Sequence, residues 1–190
     1  MMEILFYLAT LFLILFMVLA TFDGFYLHIF KYRLFDRYES LFEHKTHTAR
    51  AILFPLIVWF LFVNETLAGF VIGASLVVLD LVVLAIDAYS EKESRNFMGG
   101  LPRWEYIIHL FANAFHFSAI ALVLALKLRI EDTNLIFVDT IAVSPAKELF
   151  HFISVNVMPG AIILAILHLL LLESKSRHLW NHYRAKISCC

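Results

Sequence analysis

Five apolar runs, each separated from the next by a polar or turn-forming stretch, set the pattern of this chain. They fall at about residues 4–22, 48–64, 67–86, 104–126 and 149–172. Roughly 20 apolar residues cross about 30 Å of hydrocarbon as an α-helix. The pattern therefore predicts an all-α, polytopic membrane bundle of five transmembrane helices, forming a single membrane domain over 1–190. The second run is short and must borrow flanking residues, with Pro55 near its entry. Pro159-Gly160 falls midway through the fifth run, where a proline frees the carbonyl of Val155 and favours a kink. The first run follows Met1-Met2-Glu3 rather than a basic segment, and it ends without a small-x-small cleavage site. It is expected to be an uncleaved span.

The longest polar break is residues 23–47, an amphipathic segment expected to extend the first span along the membrane face. In Phe30–Phe42 the aromatics would point to lipid and the charges to water. In Met98–Trp104, Gly99 and Gly100 supply positive φ, Pro102 suits the first turn of span four, and Trp104 suits the interface. Neither an internal repeat nor a separate soluble domain is visible.

Composition agrees with this reading. The chain is 62% hydrophobic and 16% charged, where a soluble domain is about a quarter charged. A net charge of -1 without a basic domain gives no footing for nucleic acid. The only cysteines, Cys189 and Cys190, exclude a disulfide framework and a Cys-based metal site; they are a frayed tail or lipid acceptors. Lys31, Arg33, Arg37, Lys45, Arg50, Lys92, Arg95, Arg103, Lys175, Arg177, Arg184 and Lys186 all fall on one side of a five-span topology, out of 15 basic residues. Lys127, Arg129 and Lys147 fall on the other, balanced by Glu131, Asp132, Asp139 and Glu148. The positive-inside rule then places the N-terminus outside and the C-terminus in the cytoplasm.

Ionisable residues within spans cost roughly 2.5–3.5 kcal/mol each on insertion scales, so each asks for a reason. Asp80, Asp87 and Glu91 share one face of span three, at offsets of seven and eleven residues. Glu105, His109 and His116 share one face of span four, at offsets of four and eleven. Glu43, His44 and His47 open span two, with Glu43 and His47 one turn apart. The topology brings these residues, with His28, to the cytoplasmic face. It sets Asp80 and His116 at matching depth near mid-bilayer, where they suit a hydrogen-bonded pair. Asp23 stands five residues from His28, about 140° away on an α-helix, so the two need not act together and the case for Asp23 is weaker.

Carboxylates and imidazoles from several helices are the ligands of non-haem metal sites in helical bundles, and they suit iron, manganese or zinc. The expected ligand set is Glu43, His44, His47, Asp87, Glu91, Glu105 and His109, supported by His28, Asp80 and His116. The corresponding function is a diiron-like membrane oxidoreductase acting on a lipid or quinone in the bilayer. No Glu-x-x-His, His-Glu-x-x-His or repeated histidine box is present. A b-type haem subunit is the second reading, with His116 or His109 paired to His44 or His47, or with His151 or His168. c-type haem is excluded by the lack of Cys-x-x-Cys-His. A third reading is a non-catalytic accessory or transport subunit that meets a partner membrane protein. Its acids would serve only in interfacial ion pairs, Glu43 with Lys45 or Arg50 and Glu91 with Arg95.

Overall fold

The computed structural model describes residues 2–138 and 141–188. Helix α1 (Met2–Thr21) is apolar almost throughout. Its winding then changes, and Phe22–Lys31 continues as a π-helix, in which N–H groups bond five residues back instead of four. Arg33, at a left-handed φ of 57°, ends that helix ahead of a single 3₁₀ turn, Leu34–Asp36. Helix α2 (Leu41–Ile57) carries Pro55 in its last turn and passes into a second π-helical stretch, Val58–Val63. The expected amphipathic segment over 23–47 is thus divided. Its first part lengthens span one, and its last part is the start of α2, seven residues before the expected position 48.

Helix α3 (Leu67–Ser94) starts where Thr66 Oγ1 accepts the Gly69 N–H (3.0 Å), and it continues well beyond the expected end at 86. Gly99 and Gly100 take positive φ (83° and 114°), as the turn chemistry predicts. Helix α4 (Arg103–Lys127) follows Pro102. The link to span five holds a short antiparallel hairpin, β1 (Leu128–Glu131) and β2 (Asn134–Phe137), with Glu131 opposite Asn134. Its two-residue turn, Asp132-Thr133, has both φ positive (46° and 70°), as a tight hairpin that follows strand twist requires. Helix α5 (Pro145–Leu170) begins with a Ser144 cap and runs through Pro159 as one helix. A sixth helix, α6 (Ser174–Ser188), occupies the tail, where no helix is expected from the apolar pattern. Asp139 and the terminal Cys189-Cys190 lie outside the described residues.

Five of these helical stretches are long and apolar enough to cross a membrane. Short links make successive spans antiparallel, so the bundle has two unlike ends. At one end, Phe6, Leu13, Phe62, Val123 and Phe150 pack into an apolar core. That end is tied by Lys127 Nζ donating to the Asn64 carbonyl (2.5 Å) and by a Lys147–Glu65 ion pair (2.7 Å). Where lipid is as apolar as the core, close packing holds helices together, and small residues permit it. Gly73 of α3 is such a residue. A Cβ there would lie 2.7–2.9 Å from backbone and Cβ atoms of Leu61 in the second π stretch. The other end gathers the C-termini of α1, α3 and α5 with the N-termini of α2 and α4, and there the ionisable residues meet.

Candidate metal centre

Four helices each bring one pair of ligand-type side chains to this end. On α2, Glu43 and His47 are four residues apart; so are Asp87 and Glu91 on α3, and Glu105 and His109 on α4. Four residues are about one α-helical turn, so each pair shares a face. The fourth pair is Asp23 and His28, and it corrects the sequence expectation. Five residues are 140° apart on an α-helix, but they are one turn apart where hydrogen bonds run i to i+5. The π-helix therefore stacks the pair, and Asp23 Oδ1 lies 3.2 Å from His28 Nε2.

The four pairs interlock as an alternating series of carboxylates and imidazoles. His47 Nε2 lies 3.3 Å from Asp87 Oδ2 and 3.5 Å from Glu43 Oε1. Glu43 Oε1 lies 3.9 Å from His28 Nε2. Asp23 Oδ1, next to His28, is also 3.0 Å from His109 Nε2, and His109 Nδ1 contacts Glu91. Three histidines thus turn Nε2 toward two acids, Asp23 and Glu43. Their rings crowd together, His28 and His47 with centroids 4.1 Å apart and His28 and His109 5.7 Å apart. Two sets of ligand atoms lie within metal-chelating reach of one another: Asp23, His28, Glu105 and His109; and His28, Glu43 and His47.

Arg95 completes the cluster. It follows α3, is fully buried, and donates to Glu43 Oε2 (2.6 Å) and to Glu105 Oε1 (3.0 Å from Nε, 2.6 Å from Nη2). Its Nη2 also stands 3.2 Å from His28 Nε2. The non-metal reading of the sequence pairs Arg95 with Glu91 and Glu43 with Lys45 or Arg50. Instead Glu91 meets His109, and Arg95 binds Glu43 and Glu105 together. Three polar atoms of this buried cluster, His28 Nδ1, Glu43 Oε1 and Glu105 Oε2, have no hydrogen-bond partner among the described residues.

A cavity of about 130 Å³ runs from this cluster toward the middle of the bundle. His47 and His109, 14% and 12% exposed, open onto it together with Asp23, Asp87 and Glu91. Its inner wall carries the expected Asp80–His116 pair (3.3 Å) and two residues the sequence had not singled out for a site, Arg50 and Asn113. Arg50 Nε donates to Asp80 Oδ1 (3.1 Å) and its Nη2 to Asn113 Oδ1 (2.8 Å), while Asn113 Nδ2 donates to the His109 carbonyl (2.9 Å). Ala20, Ala51, Ala88, Ala112 and Ala161 leave the room. Beyond His116 the path closes, because Phe16 and Phe54 pack on its ring at 4.5 and 5.7 Å.

His44 departs from the expected ligand set. It lies 100° around α2 from Glu43 and faces α5, where its Nε2 donates to the His168 carbonyl (3.2 Å) and its ring stacks on His168 at 5.1 Å. Glu105 keeps its place in the cluster but spends one oxygen on Arg95. His151 is exposed and sits at the opposite end, beside Glu65, Lys127 and Lys147. Within the cluster itself, Arg95 and Asp23 are the residues that sequence reasoning misses, as it misses Arg50 and Asn113 on the cavity wall. Arg95 had a signal, since it stands four residues after Glu91 and continues that acidic face. Asp23 had none, because its alignment depends on π winding. Comparisons with protein-family models, with curated proteins and with solved structures find no match for this chain.

Proposed function

We propose that this chain is a multi-pass membrane metalloprotein whose polar end, at the cytoplasmic face, holds one or two divalent ions. Asp23, His28, Glu43, His47, Asp87, Glu91 and His109 are the ligands, and Glu105 and Arg95 brace them. The observation that carries this reading is the convergence of three Nε2 atoms on two buried acids, with Glu43 Oε1 left without a hydrogen bond. Charge supports it. Asp23, Glu43, Asp87, Glu91 and Glu105 face one guanidinium, so four negative charges are left for protonated histidines or bound cations to balance. Two divalent ions would cancel them. Buried charge without such compensation is costly.

The donor set is imidazole and carboxylate without thiolate, which suits iron, manganese or zinc. Pairs one turn apart on four helices resemble the way bundle proteins build carboxylate-bridged dinuclear sites. A redox-active ion bound here would supply oxidoreductase chemistry. The chain's own part is to fix the ligands, exclude bulk water and leave a cavity at His47 and His109 for a small polar group, such as the head of a lipid or quinone. Asn113, held by Arg50, anchors the His109 backbone, and Asp80 holds Arg50. The haem reading draws less support: Asp23 Oδ1 and Glu43 Oε1 lie between the histidine rings, where a porphyrin iron would have to sit. A transport role also draws less, since Phe16 and Phe54 pack against His116 at the inner end of the cavity.

Metal analysis of the detergent-purified protein, with its absorption spectrum, tests the reading. One or two equivalents of iron, manganese or zinc are expected, falling at least tenfold in affinity or occupancy in His47→Ala and in His109→Ala, with His44→Ala largely unaffected. A Soret band would instead establish haem. A folded protein with neither metal nor haem would sink both.

A further inference from the structure

Helix α6 presents three distinct stripes. Arg177, Trp180, Asn181 and Arg184 form the docked one. Arg177 and Arg184 donate to the carbonyls of Phe35 and Phe30 (3.2 and 3.5 Å), Asn181 to Asp36 (3.2 Å), and Trp180 meets Phe25 edge-on. Leu179, Tyr183 and Ile187, at successive i+4 positions, form a second stripe left 59, 57 and 69% exposed. Exposed Lys175, His182 and Lys186 form the third, beside the apolar stripe on the side away from the docked face. No acidic residue occurs between Ser174 and Ser188.

The tether fixes where these stripes lie. Only Leu171, Leu172 and Glu173 separate α5 from α6, and three residues reach at most about 10 Å. The docked stripe rests on the aromatic extension of α1, where Phe22, Phe25 and Tyr26 are themselves exposed apolar residues and Tyr26 stacks on Phe30. The apolar stripe of α6 therefore continues a lipid-facing surface, and its lysines stand at the end of the bundle where most basic residues of the chain collect. An apolar stripe edged by lysines is the pattern of a helix lying in a membrane interface, attracted by anionic lipid.

We propose that α6 is an interfacial helix seated on the anionic-lipid surface of the membrane that holds the five spans. Leu179, Tyr183 and Ile187 enter the acyl boundary, and Lys175 and Lys186 engage lipid phosphates. This assignment is independent of whether the cluster beneath holds metal.

The test uses the full chain with Cys189 and Cys190 changed to serine and an environment-sensitive fluorophore on Tyr183→Cys, Ile187→Cys or His178→Cys. In nanodiscs of phosphatidylcholine and phosphatidylglycerol, labels at 183 and 187 are expected to emit to the blue and to be quenched by spin-labelled lipid, while the label at 178 stays aqueous. In neutral detergent, short-chain phosphatidylglycerol should shift the 183 emission. The apparent affinity should fall roughly thirtyfold in Lys175→Gln/Lys186→Gln, at about fivefold per basic residue near an anionic surface. A 183 label as aqueous as 178 overturns the proposal. So does shielding found only when two copies share a nanodisc, which would make a second chain the occupant. Unchanged affinity in the double variant overturns the headgroup assignment.

Discussion

Arg95 is the residue on which the polar end turns. It is fully buried and bridges two acids from different helices. Removing one partner of a buried ion pair leaves the other charge stranded, at about 3–5 kcal/mol. Arg95→Met is therefore expected to lower the thermal unfolding midpoint in detergent markedly. Arg95→Lys should recover only part, because an ammonium lacks the planar fork that reaches Glu43 and Glu105 at once. Arg95→Met/Glu105→Gln should be less destabilised than the sum of its single changes. An Arg95→Met protein as stable as the parent would show that these charges are compensated some other way. The residue scale is also where the sequence was most informative. A helical offset of four places Glu43 beside His47, and matching depth in the five-span topology places Asp80 opposite His116. The pairings that failed, Glu91–Arg95 and Glu43–Lys45 or Arg50, were local ones. A long arginine side chain was free to cross to other helices, and sequence distance did not constrain it.

At the scale of elements, winding decides what spacing cannot. Two stretches, Phe22–Lys31 and Val58–Val63, depart from α geometry, and apolar patterning does not distinguish them, because aromatic and aliphatic residues suit either winding in lipid. The first stretch brings Asp23 into the site. The second presents Leu61 to Gly73, and that contact gives a paired expectation. Gly73→Ala would drive its new methyl group into Leu61 backbone and should destabilise by about 1–3 kcal/mol, the usual cost of overpacking. Gly160→Ala meets nothing within 4 Å and should be neutral or stabilising by up to about 1 kcal/mol, the helix-propensity gain over glycine. Unfolding midpoints of the two variants measured side by side check it, and equal effects would refute the close-contact account of Gly73. The hairpin at Leu128–Phe137 and helix α6 escaped the apolar pattern for a simpler reason. Both are too short or too polar to resemble a span, and their shape comes from turn geometry and from docking.

For the whole molecule, the gathering of the ionisable cluster at one end of the bundle follows from five antiparallel spans, and it can be mapped directly. Single cysteines near 38, 97 and 178 should react with an impermeant reagent from one side of sealed vesicles, and cysteines near 65 and 133 from the other. Labelling of 38 and 97 from opposite sides would dismantle the shared site. With the basic residues concentrated at the polar end, that side is expected to be the cytoplasmic one.

The order in which the polar end is assembled follows from the residues that build it. Asp23 and His109 are 86 positions apart, and Arg95 meets His28 across 67. A nascent chain that has inserted only its first two spans already carries Asp23, His28, Glu43 and His47, yet it lacks Arg95, which binds Glu43, and His109, which meets Asp23. The turn between α3 and α4 delivers Arg95, then Glu105, then His109 within fifteen residues of one another. The polar face therefore stays incomplete until the fourth span arrives, and any metal bound under the proposed function could be loaded only after that step.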